Sequence, residues 1–296
     1  MDLISIDDLS DAQIAHLLEA GQSWFDYNRS ASRGHDKRLA GKLVFNLFYE
    51  NSTRTLMSFA TAAERLGSSV VTMPVEQSSV KKGETLEDTA RTLNAMRPDL
   101  LIMRHSQNGA PLSAASIMDC PVINAGDGTN EHPTQALLDA LSLKLRLGSI
   151  EGLKVAICGD IKHSRVARSN AKLLPRLGAE VRLGGPPSLI PDDLNALSID
   201  EALEGADVVM MLRIQRERLE EDLGDAPGEY LSRYGLTEER LAQASSEAVI
   251  MHPGPINRGV EIADEVADDP KRSLIQLQVE AGVAIRMACL EFVGAN

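Results

Sequence analysis

The chain has 296 residues, 43% of them hydrophobic, enough for two domains that each bury an apolar core. Against 30 Lys and Arg stand 43 Asp and Glu, and the formal charge of −13 repels nucleic acid and anionic membrane, so any anion site must be built locally. The N-terminal MDLISIDDLS lacks the basic-then-apolar order of a secretory signal. No apolar run nears the roughly 20 residues needed to cross a bilayer, which predicts a cytoplasmic protein with no membrane or nucleic-acid partner.

Short β-branched apolar runs alternate with helical patterns along the chain: LVFNLF (43–48), SVVTM (69–73), DLLIM (99–103), CPVIN (120–124), LKVAIC (153–158), AEVRL (179–183), DVVMML (207–212) and AVIM (248–251). Alternation of this kind builds βαβ units and parallel sheets. Among the helices, the pattern from Arg54 to Leu66 is stopped by Gly67, and that from Thr85 to Met96 opens on a Thr85-x-x-Asp88 capping box. Four strand candidates precede the long helical pattern Pro133–Leu147 and four follow it. The expected fold is therefore α/β, with two doubly wound parallel-sheet domains joined by that helix. The last pattern, 274–293, is a helix with no strand after it, able to pack back across either half.

Cys120, Cys158 and Cys289 are scattered among apolar neighbours and read as reduced, buried thiols. No HExxH or comparable ligand pair occurs, so neither a metal nor a cofactor is expected. The GDI turn after the fifth strand lacks GxGxxG, which weakens a dinucleotide reading of the second half.

Open parallel sheets bind ligands beyond the carboxyl ends of their strands. The first strand runs into FYENSTRT (48–55), where Ser52, Thr53 and Thr55 hydroxyls and the Arg54 fork meet the positive end of a helix. N-capping by Ser52 or Thr53 accounts for one hydroxyl but not for the cluster. After the second strand, EQSSVKKGET (76–85) carries Lys81 and Lys82 and reads by itself as a solvated loop. The third strand ends at Arg104 and His105, and the fourth leads to His132 and Gln135 around a helix start. In the second half, GDIKHSR (159–165), MLRIQRER (211–218) and HPGPINRGVEI (252–262) follow strands and offer Arg165, Arg213 and Gln215; Arg216 and Arg218 read equally well as surface ion pairs. So many basic and donor groups at strand ends of an acidic chain imply a ligand with several negative charges.

Taken together, STRT, KKGET, MRH, DGTNEHPTQALLD, RxQxER and HPGPxNRGVEIA resemble the aspartate carbamoyltransferase family in order and spacing, from about residue 40 to residue 290. The resemblance implies a carbamoyl-phosphate domain over 1–135, with the C-terminal helix 274–296 packing back on it, and an aspartate domain over 136–273. It assigns Ser52, Thr53, Arg54 and Thr55 to the phosphate, with Arg104 also near that group, and has Arg104, His132 and Thr55 polarise the carbamoyl oxygen. Gln135 and the backbone of Pro253 and Gly254 would hold the carbamoyl amide, and Arg165, Arg213 and Gln215 the aspartate carboxylates. Ser78 and Lys82 would enter a neighbouring subunit's site, with Lys82 also serving the substrates there, which implies a homotrimer. Regulatory or dihydroorotase-like chains occur in the wider family as further partners. Glu50 would form interdomain ion pairs with Arg165 and Arg218.

One departure is visible. Gly254 stands between two prolines where some members carry a bulkier residue, often leucine. An ornithine carbamoyltransferase is the nearest rival, but its DxxxSMG and HCLP patterns are missing. A non-catalytic homologue is the rival of another class, and retention of the expected site residues speaks against it.

Overall fold

The computed structural model describes residues 1–31, 36–73, 82–191, 194, 197–214 and 228–294. Contacts divide the chain into two units: Met1–Leu141 together with Val279–Asn296, and Ser142–Gln278.

The first unit holds a parallel sheet of β1 (Leu43–Phe48), β2 (Ser69–Met73), β3 (Leu100–His105) and β4 (Val122–Asp127), in the order β2-β1-β3-β4. β4 is buried along its whole length, whereas β2, at the sheet edge, is half open to solvent. Around the sheet run α1 (Asp11–Arg29), α2 (Thr53–Arg65), α3 (Leu86–Ala95) and the short α4 (Ala110–Ala115). α1, α2 and α3 each start on a side-chain cap. Ser10 and Gln13 form a capping box at α1, and Ser52 caps α2. α1 buries Ile14, Leu17, Leu18, Gly21, Trp24 and Phe25, a single stripe at helical spacing.

α5 (Pro133–Leu147) carries the chain out of the first unit. The second unit repeats the plan with β5 (Lys154–Cys158), β6 (Glu180–Gly184), β7 (Val208–Met211) and β8 (Val249–Met251), in the order β6-β5-β7-β8. Its helices are α6 (Arg165–Arg176), α7 (Ile199–Leu203), α8 (Glu229–Tyr234), α9 (Glu238–Leu241) and α10 (Asp264–Ala267). α11 (Ile275–Gly294) then returns the chain to the first unit, where Ala281, Ala284, Ile285, Met287, Ala288, Cys289, Leu290 and Val293 are all buried. A helix apolar nearly all round belongs inside a core. Gly21 leaves the room it needs, since a Cβ there would come within 2.7 Å of Ile285.

Three expectations change in detail. β3 and β4 run past the DLLIM and CPVIN runs, to His105 and Asp127, so Arg104 lies within the strand itself. At α3 the Thr85 hydroxyl accepts from Asp88 N–H but also donates to the Asp88 carboxylate, so the two side chains pair with each other. Cys158 and Cys289 are buried as expected, but Cys120 is only partly so. Burial pushes these thiols up, to about 11 at Cys120 and about 12 at Cys158 and Cys289, and keeps them protonated.

Candidate active site

In both sheets the strand order reverses at the first strand: β1 lies between β2 and β3, and β5 between β6 and β7. Such a switch point leaves a crevice outside the carboxyl ends of the two strands on either side of it. The 52–55 turn follows β1 and Arg104 lies at the end of β3; Arg165 follows β5 and Arg213 follows β7. Topology thus brings these expected residues to the switch point of each sheet.

In the first unit, Ser52 has extended backbone (φ −157°, ψ 93°) and its hydroxyl accepts from Thr55 N–H at 3.4 Å. Capping therefore occupies Ser52, while Thr53 and Arg54 stay exposed on the first turn of α2 and Thr55 is buried beneath them. Exposed N–H groups, a hydroxyl and a guanidinium at a helix start favour an anion. Arg104 is held from two sides. Its Nε donates to Glu50 at 3.1 Å and its Nη1 to the Ala125 carbonyl at 3.5 Å. Between the pairs Met103↔Asn124 and His105↔Asp127 the β3–β4 register shifts, so β4 carries an extra residue opposite Arg104. Bulges of this kind re-aim side chains beside binding sites.

His105 stacks on Tyr49 with ring centroids 4.4 Å apart, and its Nδ1 accepts from Gln107 N–H at 2.9 Å. Burial holds its pKa below the ordinary histidine value, against the pull of the Glu50 and Asp127 charges. His132 is buried just before α5, its carbonyl accepting from Gln135 and Ala136 N–H at 2.9 and 3.3 Å. Pro133 at the first helical position gives up an N–H that would have had no partner there. Gln135 is also buried, and its Nε2 donates to Asp139 at 3.0 Å, which fixes the rotation of the amide. Sequence reasoning missed Glu131. It is buried and accepts from the Ser5 hydroxyl at 2.5 Å and Ile6 N–H at 3.1 Å, fastening the N-terminal segment to the turn that carries His132.

In the second unit, Gly159 leaves β5 at φ 122°, and a Cβ there would stand 3.0 Å from the Leu212 carbonyl. Only glycine lets these two strand ends approach so closely. Arg165 opens α6, capped by Ser164, and Arg213 lies two residues beyond β7; both are partly buried. Asp160 is wholly buried and accepts from His163 N–H at 3.1 Å and contacts its Nδ1 at 2.9 Å. The Asn257 amide donates to the Ile214 carbonyl at 3.1 Å and so ties the Arg213 segment to the 252–262 loop.

That loop has its own brace. His252 Nδ1 accepts from Gly254 N–H at 2.9 Å, which puts the ring proton on Nε2, facing Glu261 at 3.2 Å. Glu261 also accepts from Asn257 N–H at 2.6 Å, and both His252 and Glu261 are wholly buried. Gly254 takes φ 68°, a conformation easy for glycine and strained for a larger residue. The departure from a bulkier residue between the prolines therefore has a backbone reason in this chain. Lys82 is exposed ahead of the Thr85 cap; Ser78, Gln215, Arg216 and Arg218 lie outside the described residues.

Two doubly wound sheets with cationic strand ends define an α/β protein built to handle small anions. Residues 1–144 match the aspartate/ornithine carbamoyltransferase carbamoyl-P binding domain and residues 151–293 the Asp/Orn binding domain, so the chain belongs to the aspartate/ornithine carbamoyltransferase family. It is 54% identical to the aspartate carbamoyltransferase catalytic subunit of Sphingopyxis alaskensis over 98% of this chain and 86% of that protein. With the same subunit of Rhizorhabdus wittichii it shares 56% identity over 98% of this chain and 93% of the relative. Among solved structures, it resembles aspartate transcarbamoylase from Trypanosoma cruzi in complex with N-(phosphonacetyl)-L-aspartic acid at a TM-score of 0.86 and 33% identity, covering 99% of this chain and 94% of that one. The same enzyme with carbamoyl phosphate and aspartate bound gives 0.86 and 34%, over 99% and 96%.

Proposed function

We propose that this chain transfers the carbamoyl group of carbamoyl phosphate to the amino group of L-aspartate, giving N-carbamoyl-L-aspartate and phosphate. The observation that carries the reading is the pair of switch-point crevices, one ending in the Ser52–Thr55 turn with Arg104 and the other in Arg165 and Arg213. A phosphorylated carbonyl suits the first. A dicarboxylate suits the second, because each arginine presents a planar fork matched to a carboxylate.

In this reading Ser52, Thr53, Arg54 and Thr55 bind the phosphate. Arg104, His132 and Thr55 face the carbamoyl oxygen, and Gln135 with the Pro253–Gly254 backbone holds the amide. Arg165, Arg213 and Gln215 bind aspartate. The amine lone pair forms the new N–C bond, the C–O bond to phosphate breaks with its electrons leaving on oxygen, and the phosphate takes the amine proton. Charge grows on the carbonyl oxygen meanwhile, and a preorganised donor there is worth about 3–4 kcal/mol. Clamping both substrates supplies orientation that a bimolecular encounter lacks. Ser78 and Lys82 complete a neighbouring subunit's site in a homotrimer located in the cytoplasm, and Lys82 there adds positive charge for the substrates. The first unit serves as the carbamoyl-phosphate domain and the second as the aspartate domain.

The test offers aspartate and ornithine side by side in a carbamoylation assay, with sedimentation of the same sample. Carbamoylation of aspartate alone by a trimer is expected. Preference for ornithine would overturn the substrate assignment, and an active monomer would overturn the shared site.

A further inference from the structure

Beneath the first turn of α2 lies a cation that the proposed reaction does not use. Arg286, on α11, is buried; its Nη1 donates to the Ser58 hydroxyl at 2.7 Å and to the Gly282 carbonyl at 3.3 Å, and its guanidinium lies 5.0 Å from the Phe59 ring centre. The Ser58 hydroxyl in turn reaches the carbonyls of Arg54 at 2.6 Å and Thr55 at 3.0 Å. The space is reserved for this side chain, because a Cβ on Gly282 would come within 2.8 Å of the guanidinium. Asp139, which holds the Gln135 amide, also acts electrostatically on Arg286.

Burying a guanidinium is costly, and an apolar side chain of similar volume would often give a core at least as stable. Burial pulls the Arg286 pKa down only to about 10, so the group stays charged at neutral pH. We infer that Arg286 is a positioning residue: through Ser58 it locks the carbonyls of Arg54 and Thr55, and its buried charge raises the affinity of the α2 turn for phosphate. Hydrogen bonding to those carbonyls fixes the peptide planes at the helix start, and a cation beneath them adds to the positive end of the helix dipole. The inference rests on reading residues 52–55 as the phosphate cradle.

Inorganic phosphate is titrated calorimetrically into the intact protein and its variants, and KM is measured for each substrate with the other saturating. Arg286→Met should weaken phosphate binding and raise the carbamoyl phosphate KM about ten- to a hundredfold, as for loss of one charge-assisted hydrogen bond, with the aspartate KM held within about twofold. Arg286→Lys, which keeps the charge, should recover part of the loss. Ser58→Ala cuts the link with little change in volume and should weaken phosphate binding by a smaller factor; if Arg286→Met does not fold, Ser58→Ala and Arg286→Lys decide. Phosphate affinity equal to the parent chain in the folded variants overturns the inference. Arg54→Ala is the control: if it too binds phosphate normally, the cradle itself is misassigned, whereas loss in Arg54→Ala with none in the Arg286 and Ser58 variants defeats this inference alone.

Discussion

Replacing Glu50 by Ala tests how the first unit presents Arg104. The Glu50–Arg104 pair is 3.1 Å long, with side chains only 18% and 14% exposed, so it is not to be discounted as a surface ion pair. Loss of one charge-assisted hydrogen bond of this kind costs about 1.5–3 kcal/mol. If that energy goes into orienting Arg104 toward the carbamoyl oxygen, its loss corresponds to about a ten- to a hundredfold rise in the carbamoyl phosphate KM or an equal fall in kcat/KM. Glu50→Gln keeps an acceptor for Arg104 Nε and should fall between the two. The assay titrates carbamoyl phosphate at saturating aspartate, then reverses the roles. A variant with unchanged carbamoyl phosphate kinetics and a weakened aspartate response would refute the orienting role and favour the interdomain pairing that the resemblance implies for Glu50.

Arg54→Ala should lower turnover by about a hundred- to a thousandfold, the scale of one lost transition-state donor, while the melting temperature of this exposed position stays within about a degree or two of the parent. Gly128 has φ 49°, and a Cβ there would stand 2.9 Å from both Asn108 N and the Ser106 carbonyl; Gly128→Ala should cost about 1–3 kcal/mol in a denaturant titration. Thiolate forms as pH rises through a thiol's pKa, so groups raised to about 11–12 are protonated at pH 8. A thiol reagent should then label the native chain slowly and the unfolded chain fast at all three cysteines, and rapid native labelling of Cys158 or Cys289 would contradict their burial.

The sheets were legible because their signal is local. LVFNLF and SVVTM match β1 and β2 residue for residue, and the pattern opening at Pro133 matches α5 to Leu147. Gly67, at φ 83° and with a Cβ that would meet the Asp36 carbonyl at 2.7 Å, stops α2 for the reason its position suggests. Candidate site residues could be picked out because parallel sheets put chemistry at strand ends, and four-stranded halves with this alternation have few places to put it. What stayed hidden depends on partners far apart in sequence. Glu131 meets Ser5 across 126 positions and Arg286 meets Ser58 across 228, and no periodicity or spacing encodes such pairs. The β4 bulge opposite Arg104 was hidden likewise, since NAGD reads as strand or turn until the register with β3 is known. Helices α7 to α10 span only four to six residues each, too short for a helical period to show.

The first unit is assembled from two stretches of chain, with the whole of the second unit inserted between them. Ser142–Gln278 is continuous in sequence, whereas the earlier-made sheet lacks part of its core until Val279 onward is present. Arg286 arrives with that last stretch, so the cation beneath the α2 turn is among the last residues to be made. A chain ending before residue 279 would therefore hold the second unit's whole sequence and an unfinished first unit, with the α2 turn made but lacking Arg286 beneath it.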